Sequence, residues 1–180
     1  MSESGRGVSR SERSEKQEEN AEAEALKKEA MENGLDTGAL NEEQLTKLAR
    51  YFDEAISFSC HIGSKVEKVE PGRAVLHIDV EDHHLNGNGT LHGGVYASLI
   101  DNAMGISVLS KVGLRAATIQ MDTRFLGPVN GGRITCHAEI LHRTRRMATA
   151  QGSVYDGEGN LVAMGTGTFR VFESEGVTSV

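Results

Sequence analysis

Residues 86–105 read NGNGTLHGGVYASLIDNAMG, and this stretch decides the fold. A glycine-rich turn opened by Asn86 runs through His92-Gly93-Gly94 directly into an apolar segment. From Val95 to Leu109 that segment carries one charged residue, Asp101. A carboxylate alone on an apolar helix is costly to bury without a partner. Glycines where a turn becomes a helix leave backbone N–H groups open to an approaching oxygen. Turn and helix together point to a site that polarises a carbonyl and sets a carboxylate beside it.

Outward from this helix the hydrophobic period shortens to two. From residue 60 onward the chain reads as strand. In RAVLHIDV, Ala74, Leu76, Ile78 and Val80 alternate with Arg73, Val75, His77 and Asp79. In RITCHAEI, Ile134, Cys136, Ala138 and Ile140 alternate with Arg133, Thr135, His137 and Glu139. Strand patterns also fit 115–126, 147–156 and 161–172. Pro128 with Asn130-Gly131-Gly132 marks one connection, and Asp156-Gly157-Glu158-Gly159-Asn160 predicts a hairpin turn. The order is two strands, a long apolar helix, then four strands on short turns, which implies antiparallel neighbours. A helix apolar almost all round must be covered on most sides. The fold class is therefore α+β, with a curved antiparallel sheet wrapped around a long central helix.

Upstream, Asn41 and Gln44 predict a capping box, and Leu45, Leu48, Ala49, Phe52, Ala55 and Ile56 recur at helical spacing. The residues before it, about 1–40, form a charged tail without aromatic side chains, too polar to build a core. Residues 17–32 there read as a solvated helix at most. The single ordered domain is placed at 41–175.

Composition narrows the function further. At 180 residues and a formal charge of -7, the chain has one core and no electrostatic case for binding nucleic acid. Its basic cluster is local, Arg143, Arg145 and Arg146. Cys60 and Cys136 are far apart and read as small buried hydrophobes of a reduced interior. No apolar run reaches membrane-spanning length, so a soluble, cytoplasmic protein without a membrane partner is expected. His83 and His84, placed on an extended strand, would point to opposite faces, and no ligand cluster accompanies them, so no metal is expected. A G-x-S-x-G nucleophile elbow is absent from the sequence.

The element order, with HGG opening the central helix, resembles the hotdog fold. Over about residues 45–172 the chain is similar to the acyl-CoA thioesterases of the phenylacetate-pathway (PaaI-like) group. The motif is Asn86-x-x-Gly89-Thr90-Leu91-His92-Gly93-Gly94, then Asp101 seven residues after Gly94. Relatives often carry Pro after the Asn, where this chain has Gly87. The resemblance implies that the Gly93 N–H holds the thioester carbonyl and its oxyanion. It implies that Asp101 reaches the substrate across a dimer interface, as general base or as nucleophile, the sequence deciding neither. It further implies that Asn86 orients the carbonyl or the water, and that Thr118 helps hold the water. His92 fixes the turn rather than doing chemistry. Gly94 falls beside the substrate. The turn of Arg143, Arg145 and Arg146 suits the phosphates of coenzyme A, though it reads equally as a solvated hairpin tip. No cofactor is implied, coenzyme A being part of the substrate, and the expected assembly is a homodimer with interface sites, paired into a homotetramer. The acyl group stays open, its pocket depending on side chains such as Tyr96, Met104, Met121 and Phe125. Two other readings share the fold: a non-catalytic acyl-CoA-binding sensor, and a hydratase or dehydratase, whose D-x-N-P-x-H turn residues 82–90 do not reproduce.

Overall fold

A computed structural model describes residues 39–113 and 115–172. The charged tail up to residue 38, with its candidate helix over 17–32, and the last residues of the expected domain lie outside the described residues, whereas Leu40, counted with the tail, is buried in the core and its N–H donates to the Ser110 carbonyl at 3.1 Å.

Helix α1 (Glu42–Glu54) starts where the capping box predicts. The Asn41 side chain accepts from the Gln44 N–H, and the Gln44 side chain accepts from the Asn41 N–H, both at 2.9 Å. It buries Leu48 and Phe52. A short second helix, α2 (Ser57–His61), follows where the two-residue period was expected to begin. Its outward face leaves Cys60 exposed, with the thiol donating to the Asp53 carbonyl at 3.4 Å, so only Cys136 is the buried hydrophobe expected of both. Burial pushes the Cys136 thiol up to about 12, which keeps it protonated and inert.

Strands β1 (Lys65–Glu70) and β2 (Arg73–Val80) come next, then the long helix α3 (Gly93–Val112), then β3 (Ala116–Phe125), β4 (Gly132–Arg143), β5 (Met147–Tyr155) and β6 (Leu161–Val171). The strands form one antiparallel sheet in the order β1-β2-β4-β5-β6-β3. This is the hotdog arrangement, with α3 packed across all six strands. The alternation read from the sequence gives the inner face: Ala74, Leu76 and Ile78 pair in register with Ala138, Cys136 and Ile134, and all are buried. Against them α3 buries Leu99, Ile100, Ala103, Met104, Ile106 and Val108 completely. Each large side chain so covered contributes about 1.5–3 kcal/mol relative to exposure.

The helix lies close because the strands beneath it carry glycine. A Cβ at Gly165 would meet Ile100 Cγ2 at 3.1 Å, and one at Gly167 would meet Met104 Cε at 2.9 Å. Turn chemistry closes the fold elsewhere. Asp156 Oδ1 accepts from the Glu158 and Asn160 N–H groups at 2.9 Å, with Gly159 left-handed at φ 85°. No helix among the described residues is long and apolar enough to cross a membrane.

Candidate active site

The HGG turn is held from both sides before the helix begins. The His92 N–H donates to the His84 carbonyl at 2.9 Å, and the Leu91 N–H to the Val129 carbonyl at 2.7 Å. His92 then caps α3, its Nδ1 accepting from the Gly94 N–H at 2.9 Å. The ring thus fixes the turn, as its place in the sequence suggested. It also takes the Gly94 N–H, which leaves the Gly93 N–H as the first-turn donor without an acceptor among the described residues.

His83 and His84 do not lie on an extended strand. They sit in a 3-10 turn, Asp82–His84, with ring centroids 3.9 Å apart. His84 is buried, its Nδ1 accepting from the Glu81 N–H at 3.0 Å and its Nε2 without a hydrogen-bond partner. Burial first, and the neighbouring His83 second, push its pKa below the ordinary histidine value. No group of three or more potential metal ligands gathers among the described residues.

The turn divides two hollows. On one side His92 and Gly94 border a cleft of about 400 Å³ shared with Phe58, His61 and His84. On the other, Gly93 and Asn86 open onto a depression of about 360 Å³ with Tyr96, Phe125, Leu126 and Pro128. Asn86 spends much of its side chain on its own turn: Oδ1 accepts from the Asn88 N–H at 2.8 Å, and Nδ2 donates to Thr90 Oγ1 at 2.9 Å. One amide hydrogen is left for a ligand. Thr90 stands in the sequence motif without a role, although Thr four residues after a turn Asn is a usable signal for this bond.

Asp101 stands elsewhere. It is half-buried, and Thr118 Oγ1 donates to its Oδ1 at 2.9 Å, so the two residues singled out on separate elements do meet. A bulge makes this contact. The β3–β6 register slips between Thr118 and Gln120, so Thr118 opposes Phe169 while Met121, Thr123 and Phe125 oppose Gly167, Gly165 and Ala163. All four of those β6 residues are buried beneath the helix, so Thr118 faces it too. Gly93 and Asp101, eight residues apart on one helix, are about 12 Å apart. The arginine turn lies farther still. Arg143 Nη1 donates to the Lys111 carbonyl at 3.4 Å, and Arg143, Arg145 and Arg146 are all exposed there, at the opposite end of α3 from Gly93. Of the four side chains expected to shape the acyl pocket, Tyr96 and Phe125 line the depression beside Gly93, whereas Met104 is wholly core and Met121 packs against it.

An open backbone donor at a helix start and a threonine-held carboxylate on the same helix are groups that acyl transfer can use. The thioesterase superfamily model matches residues 88–163, the stretch that carries Gly93, Asp101 and Thr118. A mutant of the phenylacetic acid degradation protein PaaI from Thermus thermophilus is 32% identical, with TM-score 0.61, over 64% of this chain and 98% of that one. The chain belongs to the thioesterase superfamily. Acyl-coenzyme A thioesterase 13 of Homo sapiens is 27% identical to this thioesterase over 130 residues, 70% of this chain and 93% of the human one. The E. coli PaaI protein shares the fold at TM-score 0.68 and 24% identity, over 72% of this chain and 94% of its own. The protein is a thioester hydrolase of this PaaI-like, hotdog kind.

Proposed function

We propose that this thioesterase hydrolyses an acyl-coenzyme A to the free acid and coenzyme A, at a site shared by two copies of the chain. The observation that carries this is the separation of the two key groups. Eight residues apart on one helix, Gly93 and Asp101 are separated by about 12 Å of helical rise, too far to act on one carbonyl. Asp101 instead faces the open edge strand β3 through Thr118. Two copies meeting along β3 would close that edge and let each Gly93 meet the partner subunit's Asp101.

In this reading the Gly93 N–H donates to the thioester carbonyl and more strongly to the oxyanion that grows on it, aided by the helix dipole. The partner subunit's Asp101 takes a proton from water as that water attacks the carbonyl carbon, or attacks the carbon itself. The C–S bond then breaks, and the thiolate leaves and is protonated as coenzyme A; where Asp101 itself attacks, a water then hydrolyses the resulting mixed anhydride to the free acid and the restored carboxylate. Thr118 holds the carboxylate, Asn86 orients the carbonyl or water with its spare amide hydrogen, and His92 keeps the turn capped. Gly94 offers bare backbone beside the substrate, its N–H being already bonded. Lys111 is ten residues beyond Asp101, so the partner's arginine turn would lie about 15 Å from the reacting carbon along that helix. At that reach the partner subunit's Arg143, Arg145 and Arg146 would serve as phosphate contacts for the coenzyme. A homotetramer would pair two such dimers, and no cofactor takes part.

Free-thiol release from phenylacetyl-, benzoyl- and medium-chain fatty acyl-CoA tests the proposal, comparing wild type with Asp101→Ala. Turnover falling by a factor of about 100 or more in the variant supports it. An unchanged rate removes Asp101 from the reaction.

A further inference from the structure

We propose that Phe125 sets which acyl groups this thioesterase accepts, its ring acting as a movable wall beside the Gly93 donor. The inference rests on the reading of Gly93 as the oxyanion contact. The ring lies where a side chain on Gly93 would lie: a Cβ there would meet Phe125 Cζ at 3.2 Å and Cε2 at 3.4 Å. A carbonyl oxygen hydrogen-bonded to the Gly93 N–H brings its α-carbon to within about 5 Å of that nitrogen. Ring and α-substituents therefore compete for one space.

The two aromatic residues of the depression differ in freedom. Tyr96 is 3% exposed, and its hydroxyl donates to the Gly127 carbonyl at 3.2 Å. Phe125, with its ring centroid 5.9 Å from that of Tyr96, is 55% exposed and has no such anchor. Its backbone, however, is fixed. Phe125 pairs with Ala163, and the Leu126 and Gly127 N–H groups both donate to the Val162 carbonyl, at 2.8 and 3.1 Å. The bulge after Thr118 gives the strand the parity that turns Phe125 toward Gly93. Tyr96 thus forms a rigid floor, and the Phe125 ring swings over it from a rigid hinge. An acyl group with CH2 next to its carbonyl passes beneath the ring. A branch at that carbon collides with it.

The test pairs each thioester with its α-methyl form: phenylacetyl- with 2-phenylpropanoyl-CoA, and hexanoyl- with 2-methylhexanoyl-CoA. The wild type is expected to favour the unbranched member by about tenfold or more in kcat/KM, the range that one methyl group commands. Phe125→Ala is expected to bring that ratio down by about tenfold, and Phe125→Leu, which keeps apolar bulk, to fall between. A wild type indifferent to α-methylation overturns the proposal. So does a variant in which both members of a pair slow alike, the mark of a ring that only supports structure. The Asp101→Ala control separates the two levels. If it retains full turnover the shared site itself falls, whereas an unmoved ratio with an inactive Asp101 variant removes only Phe125.

Discussion

The two edges of the sheet are finished in opposite ways. At β1, Lys65, Glu67, Lys68 and Glu70 face solvent, a bulge breaks the register between Val66 and Lys68, and α1 packs alongside. Asp53 of that helix accepts from the Val66 N–H at 2.8 Å, and its carbonyl accepts from Lys65 Nζ at 3.2 Å. Charge, bulge and cover are the usual means of keeping another strand away. At β3 the edge runs ten residues and exposes Ile119, at 55%. Its flanking charges, Asp122 and Arg124, pair with each other at 2.8 Å. One edge is closed within the chain. The other is open in the single chain, with Thr118 and Asp101 beside it, and in the proposed dimer a second copy would cover it.

A charge placed on the open edge should have the greatest consequence. With Ile119→Lys the chain is expected to run as a monomer by light scattering, with an unchanged circular dichroism spectrum. Thiol release should fall by about 100-fold or more, because Gly93 loses the partner subunit's Asp101. A monomer that keeps its rate would mean that one chain holds the whole site.

Much of the fold and of the candidate site was legible in the sequence, whereas the strand order that makes β1 and β3 the edges was not, for physical reasons. Period-two alternation reports which residues face the core, so the inner rows Ala74, Leu76, Ile78 and Ile134, Cys136, Ala138 came out correctly. The lone Asp101 and the HGG turn stand out because burying charge and leaving backbone donors open are both costly. A bulge leaves no such trace. One extra residue at Ile119 reverses which side Thr118 faces, and its cause is the pairing with β6 rather than composition. The same holds for His83 and His84: the 3-10 turn is set by Glu81 and by the His92 bond, which local alternation does not report.

Gly165→Ala disturbs the seat of the open edge from beneath. The new methyl group would press on the Asp122 carbonyl at 2.9 Å and on Ile100 Cγ2 at 3.1 Å. Since the first of these is backbone, the strand itself must shift, at a cost of about 1–3 kcal/mol read from urea unfolding. At the closed edge, Asp53→Ala should cost less, about 1 kcal/mol for the lost bond to Val66, with assembly and turnover unchanged. If Asp53→Ala altered the oligomer instead, β1 would be an interface and the contrast would fail.

A weaker effect concerns pH and should fall on stability rather than on assembly. The groups around His84 are His83 and His61, which repel its charge, and Glu81 and the Ile62 backbone carbonyl, which favour it, with burial the leading influence and the net direction downward. The unfolded chain therefore binds a proton at His84 near 6.5 while the folded chain still resists it. The stabilising contribution is complete above that value and is lost as pH falls through the folded pKa, with a slope below about 1.4 kcal/mol per pH unit. His84→Gln can still accept from the Glu81 N–H but does not titrate, so its urea midpoint should drop less between pH 7.5 and 5.5 than that of the wild type. Equal slopes would place the acid sensitivity elsewhere. Dissociation of the dimer over the same range would carry it to the β3 edge, a strand that contains no histidine between Ala116 and Phe125.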